Sequence, residues 1–163
     1  PRALTAEEIA AREAARQAEE ERQRQLEAQQ ELDRQLLKRF SHPDQAIRAL
    51  RRKIQEMNSL IQLKRGNINV ISGQLDNEQS RAADMERAGR AIPEATLEKI
   101  RRLEAQIREV EREISAQQQD IESVRKAYEE DVLRLEEITG DKRTIPLNPE
   151  SENPDPETTE GAQ

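Results

Sequence analysis

His42 is the single histidine of a 163-residue chain, and it stands in the run Ser41-His42-Pro43-Asp44. A serine, a histidine and an aspartate can do nucleophilic chemistry when the ring takes the hydroxyl proton and the carboxylate orients the ring. Here all three would have to meet from one turn, and no oxyanion hole or substrate cleft goes with them. A zinc site needs three or four ligands, while the chain has no cysteine and no second histidine. Beside Pro43, His42 reads more simply as a turn residue at a helix start.

Other candidate chemistries meet the same obstacle. The carboxylates of residues 104–137 are numerous, but a glycosidase-type pair needs a cleft to hold a sugar. Arg48, Arg51, Arg52 and Lys53 form a basic cluster without interleaved aromatics, in a chain of net charge −7. That composition favours a solvated face or docking to an acidic partner over nucleic acid. No Gly-rich phosphate loop is present. The expectation is a non-enzymatic protein with no catalytic residue, no cofactor and no metal, whose partners are proteins rather than nucleic acid.

Composition fixes what kind of elements can exist. Charged residues make up 37% of the chain and hydrophobic ones 33%, with one Phe (Phe40), one Tyr (Tyr128) and no Trp. Aromatic side chains supply much of the burial in ordinary cores, so a thick core is not available. Richness in Ala, Glu, Arg, Gln and Leu with few Gly or Pro points to long helices. No run approaches the roughly 18 apolar residues of a membrane span, so this segment is not expected to insert into a bilayer. The chain begins at Pro1 rather than Met, which reads as a fragment or processed form whose targeting region would lie upstream.

Two seams dominate the sequence. Ile47, Ile54, Ile61, Ile68, Leu75 and Ala82 recur every seven residues, and Leu50, Met57, Lys64, Ile71, Glu78 and Met85 follow three positions on. This is a coiled-coil a/d pattern. It stops at Ala88-Gly89-Arg90-Ala91-Ile92-Pro93, where Gly89 can end a helix and Pro93 fits the first turn of the next. A second pattern follows: Ile100, Ile107, Ile114, Ile121, Tyr128 and Leu135 at a, with Leu103, Val110, Gln117, Val124, Asp131 and Ile138 at d. So short a loop makes the arms antiparallel neighbours. Charge agrees, since residues 41–92 are net +3 and residues 93–139 net −5. The predicted fold is all-α: a coiled-coil hairpin over 41–139, with arms 42–88 and 93–139 and loop 89–92.

Outside the hairpin, Thr5 and Glu8 fit a capping box opening a polar helix within residues 1–40. Its i,i+4 pairs would include Glu8–Arg12, Arg16–Glu20 and Glu20–Arg24. The helix becomes apolar only at Leu26, Leu32, Leu36, Leu37 and Phe40. Ser41 is the expected N-cap after the break, with Pro43 in the first turn. Residues 140–163, acidic and proline-rich, are expected to be a disordered tail.

The polar seam residues Lys64, Glu78, Gln117 and Asp131 are read as setting register or leaning to the solvated edge, against a buried ionisable switch or a notch for a partner. Two registers stay open. One pairs Ile61 with Val124 and Ile71 with Ile114; a tighter loop would set Lys64 opposite Gln117. Leu60, Leu63, Val70, Leu97, Val132 and Leu133 are surplus to the seam. Residues 26–40 are expected to pack on Leu133 and its neighbours as a third helix, and self-association into a homo-oligomer is a second outlet.

The stretches LTAEEIAAREAARQAEEERQ, RQLLKRFSHPDQAIRALRRKI, ERAGRAIPEATLEKIRRLEAQI and EDVLRLEEITG, spanning about residues 4–140, resemble the C-terminal part of certain Gram-negative envelope proteins. Those carry a secretion signal, a small domain of unknown function, then this leucine-rich break and helical hairpin. The order of break, arm and AG-x-x-(I/V)-P-E loop carries the resemblance. It implies a periplasmic location and an upstream domain missing from this chain, and it brings no catalytic residues. The resulting expectation is a structural spacer or docking scaffold, with a periplasmic holdase-type chaperone as the alternative.

Overall fold

The computed structural model describes residues 1–148, and among these the chain is all helix and loop. Helix α1 spans Ala6–Arg39, α2 spans Pro43–Arg87 and α3 spans Glu94–Thr139. The last two pack densely on each other as an antiparallel hairpin, and their bounds fall within about a residue of the expected arms.

Local chemistry sets each boundary. The Glu8 N–H donates to Thr5 Oγ1 at 3.2 Å and the Thr5 N–H to Glu8 Oε2 at 2.8 Å, which closes the anticipated capping box. After α2, Gly89 takes φ 69. The Arg90 N–H reaches Met85 O at 2.9 Å and the Gly89 N–H reaches Glu86 O at 3.0 Å, a Schellman closure that only a left-handed residue permits. Gly140, at φ 74, likewise follows α3.

Two caps differ from expectation. His42, not Ser41, occupies the cap of α2: its Nδ1 accepts the Asp44 N–H at 3.0 Å and its carbonyl accepts the Gln45 N–H. Pro43 is the first helical residue, so the position before it is the one that faces the free amides. Ser41 instead gives its N–H and hydroxyl to Gln45 Oε1. Pro93 lies just before α3 rather than in its first turn, and its carbonyl accepts from Thr96 and Leu97.

The described chain divides into two compact units, Arg48–Glu129 and the pairing of residues 1–47 with those from 130 onward. In the first, α2 and α3 meet along the predicted seam. Leu50, Met57, Ile61, Ile71, Ala82, Leu103, Ile114 and Ile121 are buried. The other seam positions of this unit, Tyr128 among them, are at least half-buried. A central cluster of Met57, Ile61, Ile114 and Ile121 is walled by Ile54, Ile68, Val110 and Val124.

In the second unit, Leu36, Ala46, Ile47, Val132 and Leu135 form a core, with Phe40, Ile138, Ile145 and Leu147 against it. The end of α1 does join, through Leu36 and Phe40. Leu26, Leu32 and Leu37 stay exposed, so the packed part is shorter than the expected 26–40. Leu133 is not the docking residue: it is 52% exposed while Val132 is buried, because Leu133 falls at heptad position f, opposite the seam, and Val132 at e, beside it. The expected tail also needs correction. Residues 144–147 pack on this core because Ile145 and Leu147 offer apolar surface to it; the rest of the tail assignment, 149–163, lies outside the described residues.

Leu135 and Leu133 make a matched pair. Leu135→Ala should cost about 2–5 kcal/mol, and Leu133→Ala about 0.5 kcal/mol or less, measured by urea denaturation of the full chain. Equal losses would mean that the heptad face is misassigned.

Candidate functional site

The seam's polar exceptions find partners. In unit Arg48–Glu129, the Lys64 Nζ meets Glu113 Oε2 at 2.9 Å across the hairpin. The Lys99 Nζ meets Glu78 Oε1 at 2.8 Å. Glu78 is only 7% exposed, and Arg81 stands 3.7 Å from the same oxygen. The Lys99 hydrogen bond, against the cost of burial, holds the Glu78 carboxyl below its ordinary value. The two cross-pairs lie two heptads apart on both arms, so they mark one register. Lys64 takes an acid one turn from Gln117 rather than Gln117 itself. Gln117 remains half-buried in the seam.

Asp131 belongs to the other unit. Its carboxylate is 3.5 Å from the Arg39 guanidinium at the end of α1. One turn on, Arg134 grips Asp33 with two parallel bonds, Nε to Oδ1 at 2.8 Å and Nη2 to Oδ2 at 2.6 Å. Arg134 Nη1 also reaches Glu137 at 2.8 Å. Such a forked pair is among the stronger polar contacts available to a protein. The Arg134 hydrogen bonds lower the Asp33 carboxyl to about 2, and Asp33 in turn raises the guanidinium. Thus α1 is fastened to α3 by Asp33–Arg134 and Arg39–Asp131 as well as by Leu36.

A third polar device fastens the segment after α3. Asp44, buried in the first turn of α2, accepts the Thr144 N–H at 2.8 Å, the Thr144 hydroxyl at 2.5 Å and the Ile145 N–H at 3.2 Å. The Thr144 hydroxyl foremost, then the two amides and nearby His42, hold its carboxyl below the ordinary value. His42 Nδ1 lies 3.6 Å from Asp44 Oδ2. The Ser41, His42 and Asp44 grouping is therefore spent on capping a helix and clasping a strap.

Sequence reading named the seam residues and the four polar exceptions; the structure buries or half-buries all of them, pairs Lys64 and Glu78 across the hairpin and turns Asp131 to Arg39 of α1. It missed Asp33, Arg134 and the Asp44 clasp. Asp33 carried one weak signal, its place one turn before Leu36 on the same face; Thr144 carried none. Among the described residues no group of three or more His, Asp or Glu is placed to hold a metal, and no helix is long and apolar enough to cross a membrane.

Fold and polar layers together define a helical-hairpin protein of the coiled-coil class. No family model matches the chain, and neither a curated protein nor a solved structure matches it.

The Asp33 carboxyl is depressed in the folded chain, so its contribution is complete above the ordinary carboxylate value and fades as pH falls from about 4 to about 2. The Leu36 methyl resonances, followed by NMR, should lose their docked shifts in that window. Asp33→Asn should weaken docking at neutral pH and flatten the transition. Asp44→Ala should lower exchange protection at the Thr144 and Ile145 amides by an order of magnitude or more, and protection unchanged from the parent would remove the clasp.

Proposed function

We propose that this chain is a non-enzymatic coiled-coil scaffold of the bacterial envelope, acting as a spacer and as a docking element for protein partners. One observation carries the reading. The apolar stripes of α2 and α3 are spent on each other, and three of the four polar exceptions, Lys64, Glu78 and Asp131, are held in ion pairs, which supports a stiff structural element. The exposed first part of α1 fits the same role. From Ala6 to Leu32 every side chain but Glu8 is exposed, yet the segment is helical over about 40 Å at 1.5 Å per residue.

That stretch is supported by its own charges. Arg16 bridges Glu13 and Glu20, Arg22 pairs with Glu19, and Arg24 with Glu21 at 3.2 Å. Of the anticipated pairs only Arg16–Glu20 forms; Glu8 is taken by the cap and Arg2. Each exposed pair contributes a few tenths of a kcal/mol, and a polar helix held this way presents charge to a partner without a sticky face. The envelope location rests on the resemblance in the break and the Gly89–Pro93 loop.

The exposure of Leu60, Leu63 and Val70 favours the alternative, a holdase-type chaperone with helical arms. An aggregation assay on an unfolded client separates the two. The scaffold should leave aggregation unaffected at equimolar amounts, whereas strong suppression would hand the assignment to the chaperone. Crosslinking mass spectrometry of the full-length protein in its native cell should give links to envelope proteins, and links confined to cytoplasmic proteins would overturn the location.

A further inference from the structure

The face of α2 turned away from α3 is poor in charge over the middle of the helix. In a protein that is 37% charged, residues 66–75 carry no charge at all. Between Ser59 and Leu75, none of the positions opposite the seam is charged. Two of them are large and apolar: Leu63 is 72% exposed and Val70 is 61% exposed. Leu60, also exposed, flanks them. A solvated coiled-coil flank normally carries Glu and Lys here.

Gly66 and Gly73 share this face. Neither has positive φ, and a Cβ built on either would meet nothing within 4 Å. Glycine weakens a helix interior relative to alanine, so the folded monomer gains nothing from either residue. A glycine with open space above it is what lets a neighbouring helix approach closely.

The spacing says what approaches. Ser59, Leu63, Gly66, Val70, Gly73, Asn77 and Ser80 alternate at four and three residues, a second heptad stripe on the outer face. Place a second α2 antiparallel, with the two-fold axis at the level of Ile68. Leu63 then faces Gly73 of the second copy, and Val70 faces Gly66 of the second copy. The same pairs recur on the other side of the axis, as an isologous interface requires. At both ends Arg52 faces Asp84 of the second copy, opposite charges in matching layers. A slide of one heptad either way seats one of the two large side chains on a serine and separates Arg52 from Asp84.

We propose that this outer face of α2 is a homodimer interface, with a second copy packed antiparallel so that Leu63 and Val70 fill the spaces above Gly73 and Gly66. The inference is independent of the scaffold reading, since a chaperone or a spacer could equally dimerise in this way.

Sedimentation equilibrium of the full chain, from sub-micromolar to hundreds of micromolar, should show a monomer–dimer equilibrium. Gly66→Arg and Val70→Glu should each shift it to monomer with helicity by circular dichroism unchanged. Arg52→Asp should weaken the dimer by roughly tenfold, as expected for two lost charge pairs turned repulsive, and Arg52→Asp with Asp84→Arg should restore it. The chain has no cysteine, so single cysteines report geometry directly. Asn67→Cys, beside the axis, should oxidise to a linked dimer, and Ser59→Cys, far from its own copy, should not. A monomer at every concentration, a dimer indifferent to Gly66→Arg and Val70→Glu, or linking by Ser59→Cys in place of Asn67→Cys would each overturn the proposal.

Discussion

The hairpin depends on burying two facing stripes of aliphatic side chains one residue deep. With one Phe, one Tyr and no Trp, the chain cannot build a second layer of core, and a stripe at 3,4 spacing can be satisfied only by another such stripe. That constraint explains the length of the arms. A thin seam gains stability by extension, at about 25 cal/mol per Å² of apolar surface removed from water, because it cannot gain it by depth.

A thin seam also makes every polar insertion consequential. Lys64 and Glu78 interrupt α2 at d positions, where a lone charge would be costly to hold away from water. Each is offset by an opposite charge on α3, Glu113 and Lys99 respectively. Their shared spacing opposes a slide of the arms: a slide of one heptad would leave Glu78 opposite Gln106 or Ile92 in either direction, and Lys64 opposite Gln106 in one of them. Aliphatic residues alone would tolerate such a slide far better, since Ile and Leu repeat along both arms. The polar exceptions therefore contribute uniqueness more than strength, the best-attested use of ionic groups inside coiled coils.

Legibility from sequence followed the same division. The seam, the hairpin loop and the Thr5 cap rest on period and on residues within one turn, and both leave a trace in the chain. The Asp33–Arg134 fork and the Asp44 clasp join residues about a hundred positions apart, and no periodicity records them. The strap of residues 144–147 reads as the start of an acidic tail because its two aliphatics, Ile145 and Leu147, are outweighed by the acidic, proline-rich sequence that follows. What holds it is a buried carboxylate in another helix, which satisfies donors that sequence composition cannot assign. The exchange of Ser41 for His42 at the cap has a more local cause: Pro43 is the first helical residue, and the cap position is defined by that start rather than by which residue has the better hydroxyl.

The two arms differ in a way the seam does not require. Both present equivalent stripes to each other, and opposite the middle of α2 the outward face of α3 carries charge at Arg101, Arg102, Arg108, Glu109 and Arg112, as a solvated helix should. The corresponding stretch of α2 has given up charge, accepted two glycines at a cost to its own helix, and left Leu63 and Val70 in water. A sequence under selection for the isolated hairpin alone would replace Gly66 and Gly73 with alanine and gain stability. Their presence on one arm, in register with the exposed aliphatics, means that the outward face of α2 answers to a constraint beyond the fold of one chain. The proposed contact with a second α2 would supply that constraint and turn each local loss of stability into a seat for a side chain.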